Sequence, residues 1–531
     1  MRRLTVVGLL GAGVVVAAGL TPVALATPST AAPAKATISW GQCTSSRLQT
    51  AGAQCGLLSV PLDYAHPSGA KIKIAVSRIA HKVADSQAQG VMLVNPGGPG
   101  GSGLGLATLG GDVPNHAGDF YDWIGFDPRG VGSSQPSLSC DPNYFDFNRP
   151  AYIPVHPSTL QAWLARSKGY TDACKANNGP ILQHMTTIDA AKDMDSIRAA
   201  LGVAQINYYG FSYGTYLGQV YSTLYPSHVR RMVLDSNVDP RKVWYQANLD
   251  QDIAFQKNID IWFAWLAKYD NVYHLGNTTK KVQALFYGTE AKLTLHPADG
   301  KIGGDEWVDI FLYAGYYQST WTDLGAAFAG YIHDNDVANL EDEFVNAQGL
   351  GDDNGFAVYN AVQCTDVQWP QQWSTWARDN WATFAQAPFE TWGNAWFNAP
   401  CLYWPAKAHQ PLTIDGSHVK SALLIDETLD AATPYAGSLE VRKRYPHSSL
   451  IALPGGTSHA NSLFGDACLD DQIAAYLADG TLPHRRSGSG ADTTCAPLPV
   501  PVPDAAAARA GATTGAARAG ALARAAVRAG R

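Results

Sequence analysis

Gly210-Phe211-Ser212-Tyr213-Gly214 sets a serine between two glycines, each two residues away. With 51 glycines among 531 residues the pattern alone is weak, so its surroundings carry the argument. The apolar run "INYYG" leads into it, and the helical stretch "TYLGQVYSTLY" leads out. A strand that turns directly into a helix at a serine holds that residue in a strained conformation. Strand and helix come close enough only where the residues two before and two after are small. Such a turn lifts the Ser212 hydroxyl above a sheet and sets the Tyr213 amide at a helix start, where it stabilises an oxyanion. The plainer reading is a glycine-rich loop.

A serine nucleophile needs a base, and an acid to orient that base. In the α/β-hydrolase fold they follow in the chain order serine, acid, histidine. Of 14 histidines, His459 in "LPGGTSHANSL" follows the apolar run "SLIALP" and sits in a Gly/Ser/Thr loop. His447 precedes that run and would emerge at the wrong end. Asp430 follows "ALLIDETL", the position expected for the acid, with Asp426 the near alternative. Asp235 and Asp239 in "VLDSNVDP" are rivals, since some members of this fold take the acid one strand earlier. In this reading His459 removes the Ser212 proton as the oxygen attacks a carbonyl, Asp430 holds the imidazole tautomer, and water then releases the acyl group.

The run from Asn95 to Gly103, "NPGGPGGSG", follows the apolar strand "VMLV" and admits two mechanisms. Gly98, Gly100 and Gly103 satisfy G-x-G-x-x-G, with Asp127 downstream at a strand end, as in a dinucleotide site. Against that, a proline interrupts the fingerprint, and Asp127 sits in the loop-like "FDPRGVGSS". In a hydrolase the same loop turns a backbone amide toward the reacting carbonyl, where any Cβ would block the approach. Gly98 is the expected second oxyanion donor, beside Tyr213.

These residues must be positioned by a sheet. "GLLSVPLDY" and "KIKIAVSRIA" alternate around a His-Pro-Ser-Gly turn and read as an opening antiparallel pair. "VMLVN" and "DWIGFD" are continuous apolar runs, suited to strands of a parallel sheet buried on both faces. Thr187 to Leu201 places Ile188, Ala191, Met194, Ile197 and Leu201 at helical spacing before Gly202. From Arg241 to Trp404 strands become hard to find, and 12 of the 15 tryptophans fall there. Sheet character returns with "SALLID" and "SLIALPG". The expected architecture is α/β, a mostly parallel central sheet flanked by helices with an inserted helical cap. Its expected parts are a core at 38–240, the cap at 241–404, the rest of the core at 405–485 and a low-complexity tail at 486–531.

Composition narrows the function classes. With 46% hydrophobic and 16% charged residues the chain is globular, and a net charge of −7 without a basic run argues against nucleic acid. Arg2 and Arg3, an apolar run and Ala24-Leu25-Ala26 form a signal peptide at 1–26, followed by a leader at 27–37, so the mature protein is expected to be secreted and free of the membrane. Eight cysteines fit an oxidising compartment, and their order suggests Cys43 with Cys55, Cys140 with Cys174, Cys364 with Cys401 and Cys468 with Cys495. No C-x-x-C or H-E-x-x-H occurs, so neither metal nor cofactor is expected.

Taken together, "VPLDY", "NPGGPGGSG", "GFDPRGVGSS", "GFSYGTYLG", "VLDSNVDP", "VWYQANLDQDIAF", "LDAATP" and "GGTSHA" resemble the bacterial secreted tripeptidyl aminopeptidases, a branch of α/β-hydrolases related to proline iminopeptidases. The resemblance spans residues 38 to 485 and implies release of di- or tripeptides from free amino termini; a monomer is expected. The resemblance also implies triad roles for Ser212, Asp430 and His459. An exopeptidase needs a carboxylate for the substrate ammonium, because a buried cation must be paired. Asp366 in "AVQCTDVQW" is the expected anchor, with Glu306 and the cluster Glu341 to Glu343 behind it. A secreted carboxylesterase or lipase-like enzyme would use the same triad.

Overall fold

The computed structural model describes residues 37–503. The expected signal peptide, the leader up to residue 36 and the tail from 504 lie outside the described residues. Ten strands form one sheet: β1 (Gly41–Gln42), β2 (Gln54–Pro61), β3 (Lys71–Ile79), β4 (Val91–Asn95), β5 (Asp122–Asp127), β6 (Ile206–Phe211), β7 (Val229–Asp235), β8 (Ala422–Glu427), β9 (Ser448–Leu453) and β10 (Thr493–Thr494). Their order across the sheet is β1-β2-β3-β5-β4-β6-β7-β8-β9-β10. The β1–β2, β2–β3 and β3–β5 pairs are antiparallel, and every pair from β5–β4 onward is parallel.

The chemistry of each strand follows its place. Every residue of β4, β6, β8 and β9 is buried, as strands covered on both faces require. On β3, Lys71 and Lys73 are exposed while Ile72 and Ile74 are buried, the alternation of a half-solvated strand. The loops after β4, β6, β8 and β9 therefore gather at the carboxyl ends of parallel strands, where open α/β sheets place their sites.

Between β7 and β8 the chain is helical, from Tyr245–Lys268 through Gly304–Tyr316 and Asn354–Asp366 to Thr391–Asn398. These helices hold a core of their own in which Trp262, Trp307 and Trp321 pack with Phe286, Phe311 and Phe328. Asn258 ties the insertion to the sheet loops. Its side-chain amide donates to the carbonyls of Leu429 at 2.9 Å and Thr457 at 3.3 Å, and to Gly315 at 3.0 Å within the insertion.

All four cysteine pairs form disulfides as their order suggested. The chain stays on the sheet beyond residue 485. Asp492 accepts from Arg442 at 2.6 and 2.8 Å and from the Leu450 amide at 2.8 Å. β10 then pairs with β9, and Cys495 bonds Cys468.

Arg129, in the loop after β5, is 1% exposed and donates to both oxygens of Asp193 at 2.8 Å. Asp193 lies on the helix Thr187–Ala200, so the pair fixes this loop against the helix layer. Removing one partner of a buried ion pair strands the other charge. Asp193→Ala is expected to cost about 3–5 kcal/mol of unfolding free energy, measured by urea titration, whereas a loss under about 1 kcal/mol would show the pair to be dispensable.

Candidate active site

Ser212 occupies the turn between β6 and the helix Tyr213–Leu224, with φ 55° and ψ −129°. An L-residue pays a steric cost there, so neighbours must hold it. Its amide donates to the Asp235 carbonyl at 3.1 Å, and its carbonyl accepts the Thr215 amide at 2.8 Å and hydroxyl at 2.6 Å. A Cβ on Gly210 would fall 2.6 Å from the Gly214 carbonyl oxygen, and one on Gly214 would fall 2.7 Å from that of Asn95. Both glycines of the motif are therefore required by close approach.

The glycine run after β4 lies against the same elbow. Gly97 has φ +100°, and a Cβ there would come within 2.6 Å of the Phe211 carbonyl oxygen and 2.9 Å of the Tyr213 nitrogen. The Gly97 amide donates to Asn95 Oδ1 at 3.0 Å, while Gly98 lines the cavity alongside Ser212 and Tyr213. Asp127, weighed above as a ribose acid, instead accepts Ser102 Oγ at 2.6 Å and the amides of Gly103 and Ser133 at 3.0 and 2.8 Å. Its carboxylate is a brace for the loop.

His459 Nδ1 lies 2.8 Å from Asp430 Oδ2. The same carboxylate accepts the amides of Ala432 and Thr433 at 2.9 and 3.0 Å and the Thr433 hydroxyl at 3.0 Å, so its own loop fixes it. The rival acids are otherwise engaged. Asp235 accepts the Ser462 amide and hydroxyl at 3.0 and 2.6 Å, and burial pushes its carboxyl up to about 6. Asp426 accepts the Ser438 hydroxyl, and Asp239 pairs with Arg241 at 2.6 Å.

Ser212, Tyr213, Gly98 and His459 line one cavity of about 260 Å³. Phe145, Leu312 and Phe397 give it apolar surface, and Asp309, Glu390, Asn248 and Gln363 give it polar groups. Burial pushes the carboxyl of Asp252 well above the carboxylate range, and the charge of Glu390 pushes it further.

Asp366, the expected ammonium anchor, lies outside the cavity lining. It accepts the Thr187 amide and hydroxyl at 2.7 and 2.6 Å and Trp244 Nε1 at 3.2 Å. Burial pushes its carboxyl up to about 6. Because the Thr187 hydroxyl also meets the Tyr213 hydroxyl at 2.8 Å, Asp366 braces the ring next to the serine from behind the cavity wall. Glu306 caps the Gly303 amide and contacts Arg149, and Glu341 pairs with Lys301. Asp250, Asp309 and Glu390 line the cavity on the helical insertion, and no spacing or motif marks them in the sequence; Asp250 pairs with Lys242.

Residues 90–329 match the alpha/beta hydrolase fold family, and residues 387–495 match the TAP-like protein family. The chain is similar to the tripeptidyl aminopeptidase of Streptomyces lividans, 41% identical over 479 residues that cover 87% of each. It is 29% identical to serine protease Hip1 of Mycobacterium tuberculosis over 481 residues, 84% of this chain and 89% of that protein. It is also 30% identical to carboxylesterase B of Mycobacterium tuberculosis over 473 residues, 84% of this chain and 88% of that protein.

A methyl group at Gly97 would push the glycine run off the elbow that carries Ser212. Gly97→Ala is expected to slow phosphonylation of the protein by a serine-directed fluorophosphonate about 10²-fold, the scale of one lost oxyanion donor. An unchanged rate would mean that this contact does not shape the oxyanion site.

Proposed function

The chain belongs to the tripeptidyl aminopeptidase family of α/β-hydrolases, and from that premise we propose that it is a secreted serine exopeptidase that releases di- or tripeptides from free amino termini. Ser212 is the nucleophile, His459 the base and Asp430 the acid that orients it. The amides of Gly98 and Tyr213 bind the oxyanion. The observation that carries this reading is the 2.8 Å bond between His459 and Asp430 beside a cavity that His459 shares with a strained Ser212.

In the reaction, attack by Ser212 Oγ on a peptide carbonyl transfers its proton to His459 Nε2, and the imidazolium is stabilised through Nδ1 by Asp430. His459 then gives that proton to the departing amine. Water attacks the acyl-enzyme by the same route and frees the short peptide. Export is supported by the four disulfides, which suit an oxidising compartment. Among the described residues no helix is long and apolar enough to cross a membrane.

The amine anchor in this reading is Glu390. It lines the cavity at 7% exposure, and its charge acts on buried Asp252. A substrate ammonium that enters the cavity must be paired, and Glu390 is a carboxyl in its lining. A carboxylesterase would use the same triad, a reading supported by the 30% identical relative, but it has no use for that carboxylate.

Matched tripeptide nitroanilides with free and acetylated amino termini, beside a short-chain nitrophenyl ester, test the assignment. The free-amine peptide is expected to be cut in strong preference to the acetylated one. Glu390→Gln is expected to raise KM for the free-amine peptide about 10- to 100-fold, the worth of one charge-assisted hydrogen bond. Equal turnover of both peptides would remove the exopeptidase claim, and turnover of the ester alone would favour the carboxylesterase.

A further inference from the structure

The segment from Pro454 to Asp466, which carries His459, contains neither helix nor strand, so its buried amides must find acceptors elsewhere. The acceptors come from four parts of the fold. Ser458 N–H donates to Glu427 Oε2 at 2.6 Å, His459 N–H to the Tyr316 carbonyl at 2.9 Å and Ala460 N–H to Ser236 Oγ at 2.7 Å. Ser462 N–H donates to Asp235 at 3.0 Å and Leu463 N–H to Asp470 at 2.8 Å. Ala460 and Leu463 have φ of 52° and 66°, so the path around the histidine is one that the chain would leave if released.

Among these acceptors Glu427 holds both flanks of the histidine. Its Oε2 takes the Ser458 amide, and its Oε1 accepts the Asn461 side-chain amide at 3.0 Å. Glu427 is 3% exposed, closes β8 and lies outside the cavity lining.

We propose that Glu427 is a positioning residue for the base: its ionised carboxylate grips residues 458 and 461 and so fixes the direction in which His459 presents its ring to Ser212. The inference rests on the reading of His459 as the base. The carboxylate accepts strongly at both oxygens. Protonation leaves one oxygen a weak hydroxyl acceptor, and a glutamine turns that position into a donor that faces another N–H. Burial pushes the Glu427 carboxyl up to about 7, the two hydrogen bonds oppose that rise, and the charges of Asp430 and Asp235 reinforce it. The other titratable groups are Asp426 on its own strand and His459 in the loop it holds, whose ring meets that of Tyr316 at the end of the insertion helix Gly304–Tyr316. The grip is therefore lost as pH falls through about 7.

The test is kcat and KM for a free-amine tripeptide nitroanilide, measured from acidic to alkaline pH for the parent, Glu427→Gln, Asn461→Ala and His459→Ala. In alkaline solution Glu427→Gln is expected to lower kcat about 10- to 100-fold, the scale of a misplaced catalytic group, with KM unchanged within about twofold. The ratio of parent to variant closes toward unity below neutrality, because the parent's own carboxyl is then neutral. Asn461→Ala, which removes one of the two grips, is expected to lower kcat a few-fold with KM unchanged. An unchanged kcat in Glu427→Gln, or a deficit of the same size at every pH, overturns the proposal. If circular dichroism shows Glu427→Gln unfolded, Asn461→Ala decides, and an unchanged kcat there overturns it equally. Full activity in His459→Ala would instead bring down the assignment of the base itself.

Discussion

A serine held at φ 55° exists only where the chain on either side of it is clamped, and much of this fold serves that requirement. β4 and β7 flank β6 and bring the Asn95 loop and the Asp235 carbonyl to the turn. Gly210, Gly214 and Gly97 allow three backbone segments to meet where any side chain would collide. The compact elbow leaves one side of Ser212 open to the cavity, and it is on that side that the histidine loop and the helical insertion close.

The insertion does more than roof the cavity. Its Asn258 reaches the loops of both the acid and the histidine, and its Tyr316 carbonyl accepts the His459 amide. The carboxyls divide the remaining work by their surroundings. Asp430 faces an imidazole, Asp235 and Glu427 face amides and hydroxyls of the same loop, and Asp366 faces Thr187 and Trp244. Burial raises the last three to about 6, 7 and 6 respectively, so near neutrality they stand close to a change of charge that hydrogen-bond donors oppose.

The elbow was legible in the sequence because it depends on local composition: small residues at a turn, an apolar run before it, glycines where a Cβ would clash. The sheet was legible for the same reason, since strands buried on both faces read as unbroken apolar runs. The brace made by Asp366 was not legible because its partners, Thr187 and Trp244, lie far away along the chain, and nothing in "AVQCTDVQW" points to them. Glu390 and Asp309 escaped notice because only the packing of the insertion helices brings them to the cavity. Glu427 was hidden beside Asp426. Neighbours on a strand point to opposite faces, so one serves the helix Ala436–Arg444 through Ser438 and the other the histidine loop.

The claim on which everything else rests is that Ser212 forms the acyl bond. Incubation with a fluorophosphonate, followed by proteolysis and mass spectrometry of the parent and Ser212→Ala proteins, tests it most directly. One adduct per chain is expected, carried by the peptide that contains Ser212, with peptide hydrolysis lost as the adduct forms and no adduct in Ser212→Ala. An adduct on another residue, or a Ser212→Ala protein that still cleaves peptides at the parental rate, would contradict it.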